Sequence, residues 1–388
     1  MVLLVVGFLS IAVSQICLGV SLGILVLRWA VLKQRPPRTG LELSATLLAL
    51  WALINIFFST DWQTSLIFYR RFYIFSAIWI MAMVATTEYR RLLLLAAAMV
   101  GAMAISLYGE IRLIMETGSL FGARFGAMSN PMTSGSMLMM MVLLGFGFLL
   151  GRGHGRRLRL AVAAALVPIL LGTMLTMTRS AVLGLLGGIG LMLLLSHRRW
   201  FIAFAASAVI ALILLLSLGH NFLPHKYQLR LNWDYQISGR NTQIRLEMWR
   251  GGWEMVKERP LTGFGDRSLE DICPDYYGDE ETLYFGHLHN NFVQLAVIWG
   301  IPGLILGVFF LVMPLILLLR RWRNLQRSAR PLPVLNSWVL GACGVWMGFF
   351  LAGFTEWYLG DAETMLIYLS LLGCALGPDE SGELSGVS

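Results

Sequence analysis

The chain has 388 residues, 57% hydrophobic and only 13% charged, with a formal net charge of +8. A soluble domain carries about a quarter charged residues, so an ordinary soluble class is excluded. The positive balance does not imply a nucleic-acid partner, because the basic residues are divided among short segments between apolar runs.

Those runs are continuous rather than alternating, which argues against a barrel. They are long enough to cross about 30 Å of hydrocarbon as helix, the form in which a segment satisfies its own backbone hydrogen bonds. Eleven are expected, near 3–27, 42–58, 67–86, 92–108, 131–150, 160–177, 181–196, 201–218, 290–319, 334–355 and 362–377. The ninth is long enough to tilt or to extend past the membrane. The first basic residue, Arg28, follows the first run, and no small-residue cleavage site comes after it, so no secretory leader is expected.

Alternate connections collect the positive charge. Arg28, Lys33, Arg35 and Arg38 lie in 28–41; Arg90 and Arg91 in 87–91; Arg152, Arg156, Arg157 and Arg159 in 151–159; Arg198 and Arg199 in 197–200; and Arg320, Arg321, Arg323, Arg327 and Arg330 in 320–333. These hold more than half of the 30 Lys and Arg and all fall on one side, which the positive-inside rule makes cytoplasmic. The N-terminus is then outside and the C-terminus inside. The chain divides into an N-terminal bundle of about eight spans (1–218), an external loop (219–289), and three further spans with a cytoplasmic tail (290–388).

In chain order, Arg70 and Arg71 stand at the outer end of the third run, and Arg112 and Arg124 lie in the outer connection 109–130. Basic residues there run against the charge bias and want an anion, either a lipid headgroup or a pyrophosphate. The planar guanidinium fork suits both. Arg179, in T-R-S between the sixth and seventh runs, sits in a turn tight enough to hold it near membrane depth, where an ionisable residue is functional by default. The plainer alternative is snorkelling to lipid phosphate.

The external loop contains its own helix, over 243–258, with Asn241 or Thr242 as cap and Pro260 as stop. Ile244, Met248, Gly251, Gly252 and Met255 share one face, and Arg245, Trp249 and Trp253 follow at helical spacing beside it. Such a helix would lie along the membrane surface; the bland reading is a lid, with Arg245 touching headgroups. Glu270, Asp271, Asp275, Asp279, Glu280 and Glu281 read as a solvated acidic face.

The loop ends on H-L-H-N-N (His287 to Asn291) at the start of the ninth run. The positive end of a helix dipole disfavours an imidazolium, and a His held neutral is a general base at neutral pH. His289 is the first candidate and His287 the second; alternatively, both simply hydrogen-bond at a helix cap. No third ligand completes a metal site with this H-x-H pair. Cys17, Cys273, Cys343 and Cys374 form neither a disulfide framework nor a CxxC pair. Glu356, Asp361 and Glu363, at an outer junction, read as an acceptor or solvent contact. The arginines and one His together fit a single reaction. Arginines hold a lipid pyrophosphate, His takes the proton of an acceptor hydroxyl, and attack at the anomeric carbon expels the lipid pyrophosphate, with no need of a general acid.

The order T-R-S, R-x-x-x-W (Arg245 to Trp249), P-L-T-G-F-G (Pro260 to Gly265), H-x-H-N-N and G-I-P-G (Gly300 to Gly303) resembles the O-antigen ligase and polymerase superfamily. The segment R-F-G-A-M-S-N-P-M-T-S-G (Arg124 to Gly135) is similar to its upstream signature, so the motifs cover roughly residues 120–320. The resemblance implies an all-α integral membrane protein, a GT-C-like polytopic bundle of 11–12 transmembrane helices with one large periplasmic loop containing helices. It implies an enzyme of the bacterial inner membrane, with its active site on the periplasmic face and no metal or other cofactor. The donor would be an undecaprenyl-pyrophosphate-linked glycan and the acceptor lipid A–core. By motif, Arg179, Arg245 and His289 are the catalytic candidates; by charge and position, Arg70, Arg71, Arg124 and His287 are substrate-binding candidates. A single dominant external loop after eight spans favours a ligase. An O-antigen polymerase and a protein O-oligosaccharyltransferase are the alternatives within the superfamily. A lipid or glycan transporter is the alternative outside it, but would be expected to show internal repeats or paired broken helices.

Overall fold

The computed structural model describes residues 1–120, 123–126, 130–222, 240–276 and 286–379, with the backbone alone for 211–222, 240 and 241. The described residues form an all-α polytopic membrane protein without strands. Eight helices among them are long and apolar enough to cross a membrane, and two shorter apolar helices span Glu42–Phe58 and Ala362–Leu376. The helix Arg198–Phe222 stands at the eighth expected run.

Four of the expected boundaries need correction. The first run is two helices, α1 (Val2–Val6) and α2 (Ile11–Ala30), because a turn over residues 7–9 ends the first and the chain restarts under a Ser10 cap. The third begins earlier, as α4 (Trp62–Tyr69), and passes through a 3-10 stretch at Arg70–Phe75 into α5 (Ser76–Val84). Arg70 and Arg71 therefore lie inside that helical segment rather than at its outer tip. The fourth, α6 (Glu88–Thr117), continues until Gly118 stops it in the left-handed region, so Arg112 is helical and pairs with Glu116 at 2.7 Å. The ninth is a 37-residue helix interrupted at Gly300.

At the centre, α7 (Pro131–Leu150) and α9 (Arg179–Ser196) pack on α13 (Pro333–Ala352) through small residues. A Cβ on Gly147 would lie 2.6 Å from the Gly341 backbone, and one on Gly188 2.7 Å from the Gly344 carbonyl. Such contacts let apolar helices approach where lipid gives no hydrophobic incentive to associate.

Several arginine-rich connections meet at one end. The Glu88 carboxylate caps α13, accepting from the N–H groups of Val334 (2.7 Å) and Leu335 (2.9 Å). Arg91 and Arg321 donate to the last carbonyls of α14 (Ala362–Leu376) and the residues just after it. His154 bonds Ser337 at 2.7 Å. This end joins the connections 87–91, 151–159 and 320–333, as the charge pattern requires.

The opposite end is organised by the break in α12 (Asn291–Arg327). Gly300 has φ 69°, and Pro302 offers no N–H, so carbonyls of the preceding turn lose their helical donors. The segment Pro260–Gly265 supplies replacements: Phe264 N–H donates to Val297 O and Gly265 N–H to Ile298 O, both at 2.9 Å, while Ile301 N–H donates to Pro260 O at 2.7 Å. Trp51 donates to Trp299 O (2.9 Å) and Asn55 to Thr262 O (2.5 Å). A Cβ on Gly263 would meet Val297 O at 2.4 Å, and one on Gly300 would meet Leu261 O at 2.4 Å. The P-L-T-G-F-G and G-I-P-G motifs are thus two halves of one backbone joint. The break in α12 is filled by a loop.

The loop helix α11 (Arg240–Glu258) begins one residue before the expected caps, so Asn241 and Thr242 fall inside its first turn. Ile244, Met248 and Met255 are buried against Leu269, Leu288, Ala296 and Val297, as the spacing requires. Each such side chain contributes about 1.5–3 kcal/mol on burial. Gly252 lets Leu288 and Val293 approach. Arg245 and Trp249 face the joint between loop and bundle, whereas Trp253 is exposed. Of the acidic stretch, Asp271 pairs with Arg267 at 3.3 Å and Glu270 is exposed; Asp279, Glu280 and Glu281 lie outside the described residues.

Candidate functional site

The peptide 287–289 is pinned on both sides. Trp249 Nε1 donates to Leu288 O at 2.9 Å, and Leu288 N–H donates to the Gln294 side chain at 2.8 Å. His289 then takes φ 47°, in the left-handed region uncommon for a residue with a side chain. That geometry turns the chain into α12. The helix cap is Asn290, whose Oδ1 accepts from Phe292 (2.8 Å) and Val293 (3.1 Å) N–H groups. The histidines are therefore not the capping residues, and the open helix end that the sequence placed beside His289 is occupied by Asn290.

The His289 side chain meets a carboxylate instead. Its Nδ1 lies 2.9 Å from Glu356 Oε2, and Arg245 donates through NH2 to Glu356 Oε1 at 2.7 Å and through NH1 to Thr355 O at 2.6 Å. Glu356 is only 5% exposed. Burial pushes its carboxyl upward, but the hydrogen bond and charge of His289 and the charge of Arg245 outweigh that and hold it below the usual range. His287 packs edge-on to His289, ring centroids 4.3 Å apart, and its Nδ1 accepts from the His289 N–H at 3.4 Å. Burial, then the neighbouring His289, pushes the His287 imidazole down to about 4.

The other candidates border the same end. A tight turn at 176–178, with Met177 at φ 50°, delivers Arg179 as the first residue of α9, and its side chain is exposed. Arg124 is tied to that turn, donating to Thr176 O (3.0 Å) and to Thr178 Oγ1 (3.5 Å). Arg71 stacks on Phe68 and donates to Gly360 O at 3.5 Å. Arg70 is exposed, and its Nε donates to Ile67 O in its own segment. The structure thus brings Arg245, His287 and His289 together, ties Arg124 to the turn that precedes Arg179, and leaves Arg70 apart.

The connector 353–361 between α13 and α14 ties these groups into one surface. Ser180 bonds Tyr358 at 3.1 Å, and Thr133 donates to Asp361 at 2.5 Å. Glu356 is the residue that sequence reasoning missed, having been read with Asp361 and Glu363 as an acceptor or solvent contact. The signal was a carboxylate stranded in an apolar junction on the side rich in unexplained arginines.

Residues 164–308 match the family model described as O-antigen ligase. The chain carries an O-antigen ligase family segment. It contains Arg179, Arg245, His287 and His289 and stops before Glu356. That match supports a membrane glycosyl-transfer enzyme of the ligase or polymerase kind, a family whose substrates are in general a lipid-linked glycan and lipid A–core. Comparison with curated proteins gives no match.

Proposed function

We propose that this protein is an O-antigen ligase of the inner membrane, transferring an undecaprenyl-pyrophosphate-linked glycan to lipid A–core on the periplasmic face. The observation that carries the chemistry is the chain His289–Glu356–Arg245. With Nδ1–H donating to Glu356, Nε2 is the nitrogen that takes the proton of the acceptor hydroxyl. Glu356 fixes the ring and stabilises the imidazolium formed as the hydroxyl attacks the anomeric carbon. Arg245 holds that carboxylate in place and ionised, so the catalytic part that the motif implied for it is read as aligning the base. Arg179, which follows the turn at 176–178, and Arg124, which bonds to that turn, are the pair to receive the departing pyrophosphate. Arg71, bonded to the connector that bears Glu356, and the more distant Arg70 are secondary phosphate contacts. The basic end of the bundle is then cytoplasmic, and the site lies across the membrane from it.

The test is a strain lacking this gene, complemented with wild type or His289→Ala, in which lipopolysaccharide is run on gels and lipid-linked glycan is measured from the same cells. Loss of the ladder with long glycan still accumulating on undecaprenyl pyrophosphate supports a ligase. Core capped by single repeats identifies a polymerase instead. An unchanged ladder in the mutant removes His289 from the chemistry.

A further inference from the structure

The connector 353–361 has no regular helix beyond one 3-10 turn, Tyr358–Gly360, yet it carries the carboxylate on which the proposed base depends. It is held by side chains from several elements. Arg71, Thr133, Ser180 and Arg245 each bond it once or more, and Asn290 Nδ2 donates to Phe354 O at 2.9 Å. Asn291 is the residue that brackets Glu356. Its N–H donates to Gly353 O at 2.8 Å, and its Oδ1 accepts from Leu359 N–H at 3.2 Å. These anchors lie three residues before and three residues after Glu356, and His289 stands two residues before Asn291. The two partners of the His–carboxylate bond are thus closed into one ring by a single residue.

Capping does not explain the Asn291 side chain, since Asn290 already caps α12. Its amide is fully buried, and Nδ2 has no hydrogen-bond partner among the described residues. An apolar side chain of the same shape would avoid that desolvation penalty. The amide is therefore kept for its oxygen. Gly353 makes room for it: a Cβ there would lie 2.3 Å from Asn291 Nδ2.

We propose that Asn291 is a positioning residue for the transfer reaction, setting the register of the connector so that the Glu356 carboxylate meets His289. The proposal rests on the functional reading above. It acts on alignment and not on donor binding, so it predicts a loss in kcat with KM nearly unchanged.

The test uses the purified full-length protein in nanodiscs, with a lipid-pyrophosphate oligosaccharide as donor and lipid A–core as acceptor. Asn291→Ala is expected to lower kcat about 10–100-fold, the usual cost of losing the residue behind an active group, while donor KM stays within about threefold. Gly353→Ala is expected to lower kcat in the wild-type background and to add little in the Asn291→Ala background, because both act through one contact. Normal kcat in Asn291→Ala, a loss that follows only the folded fraction, or effects of the two changes that multiply would each overturn the proposal. A second cycle needs no activity: Glu356→Gln is expected to lower the melting temperature less in Asn291→Ala than in wild type. Additive shifts overturn the proposal. If wild type fails to transfer with these substrates, the ligase reading fails, and the melting cycle still decides the role of Asn291.

Discussion

At the basic end of the bundle, Glu88 accepts from the first N–H groups of α13, and Arg91 and Arg321 donate to the carbonyls that close α14. At the opposite end, Arg245, Glu356 and His289 bond chiefly to one another. Both ends bury charge, but the first spends it on backbone groups left over at helix termini, whereas the second builds a side-chain relay. A charge that satisfies the backbone is architecture, and its loss is felt as instability. A charge held by other side chains beside an exposed arginine is chemistry, and its loss is felt chiefly as rate.

Mutations at the two ends sharpen that difference. The largest effect is expected from His289→Ala, which removes the base: transfer falls by about 10²–10⁴-fold while the melting temperature changes little, measured on the same preparation. Arg245→Lys keeps the charge but replaces the two guanidinium nitrogens that bond Glu356 and Thr355 O separately with a single ammonium. Losing one charge-assisted bond costs about 1.5 kcal/mol, or roughly tenfold in rate. Arg91→Leu is expected to do the reverse. It leaves the Pro378 carbonyl without its Arg91 donor and Asp379 without its ion pair to Arg91, while Arg321 still serves Gly377 O, lowering yield and melting temperature with activity per folded molecule unchanged within about twofold. If Arg91→Leu instead lowers the rate of well-folded protein, the division between the two ends is wrong.

The smallest effect is one of pH. His287 is pushed down to about 4 in the fold, so above its ordinary value of 6.5 both folded and unfolded chains hold it neutral. Below 6.5 the unfolded chain takes up the proton first, and stability is lost progressively between about 6.5 and 4. Replacing His287 with Asn is expected to flatten this part of a melting-temperature profile; an unchanged slope would place the titration elsewhere.

Much of this was legible in the sequence because it follows from periodicity and charge. The buried face of α11 was readable from Ile244, Met248 and Met255, and the shared end of three basic connections from Arg91, Arg159 and Arg321. The break at Gly300 was not legible, since a glycine and a proline in an apolar run do not reveal which distant loop will supply the missing hydrogen bonds. Nor was the partner of His289. Glu356 lies 67 residues further on in sequence and meets His289 through a connector that Asn290 and Asn291, among others, bond across the start of α12. Contacts made across a bundle leave no spacing to read.

The most direct test of the account is the single-turnover transfer rate of purified Glu356→Gln against wild type, at equal folded protein and saturating donor and acceptor. The neutral amide keeps the shape of the side chain but removes the charge that orients and stabilises His289. A drop of about 10–100-fold with donor affinity retained is the predicted result. A rate equal to wild type would contradict the His289–Glu356 relay as the source of the reaction.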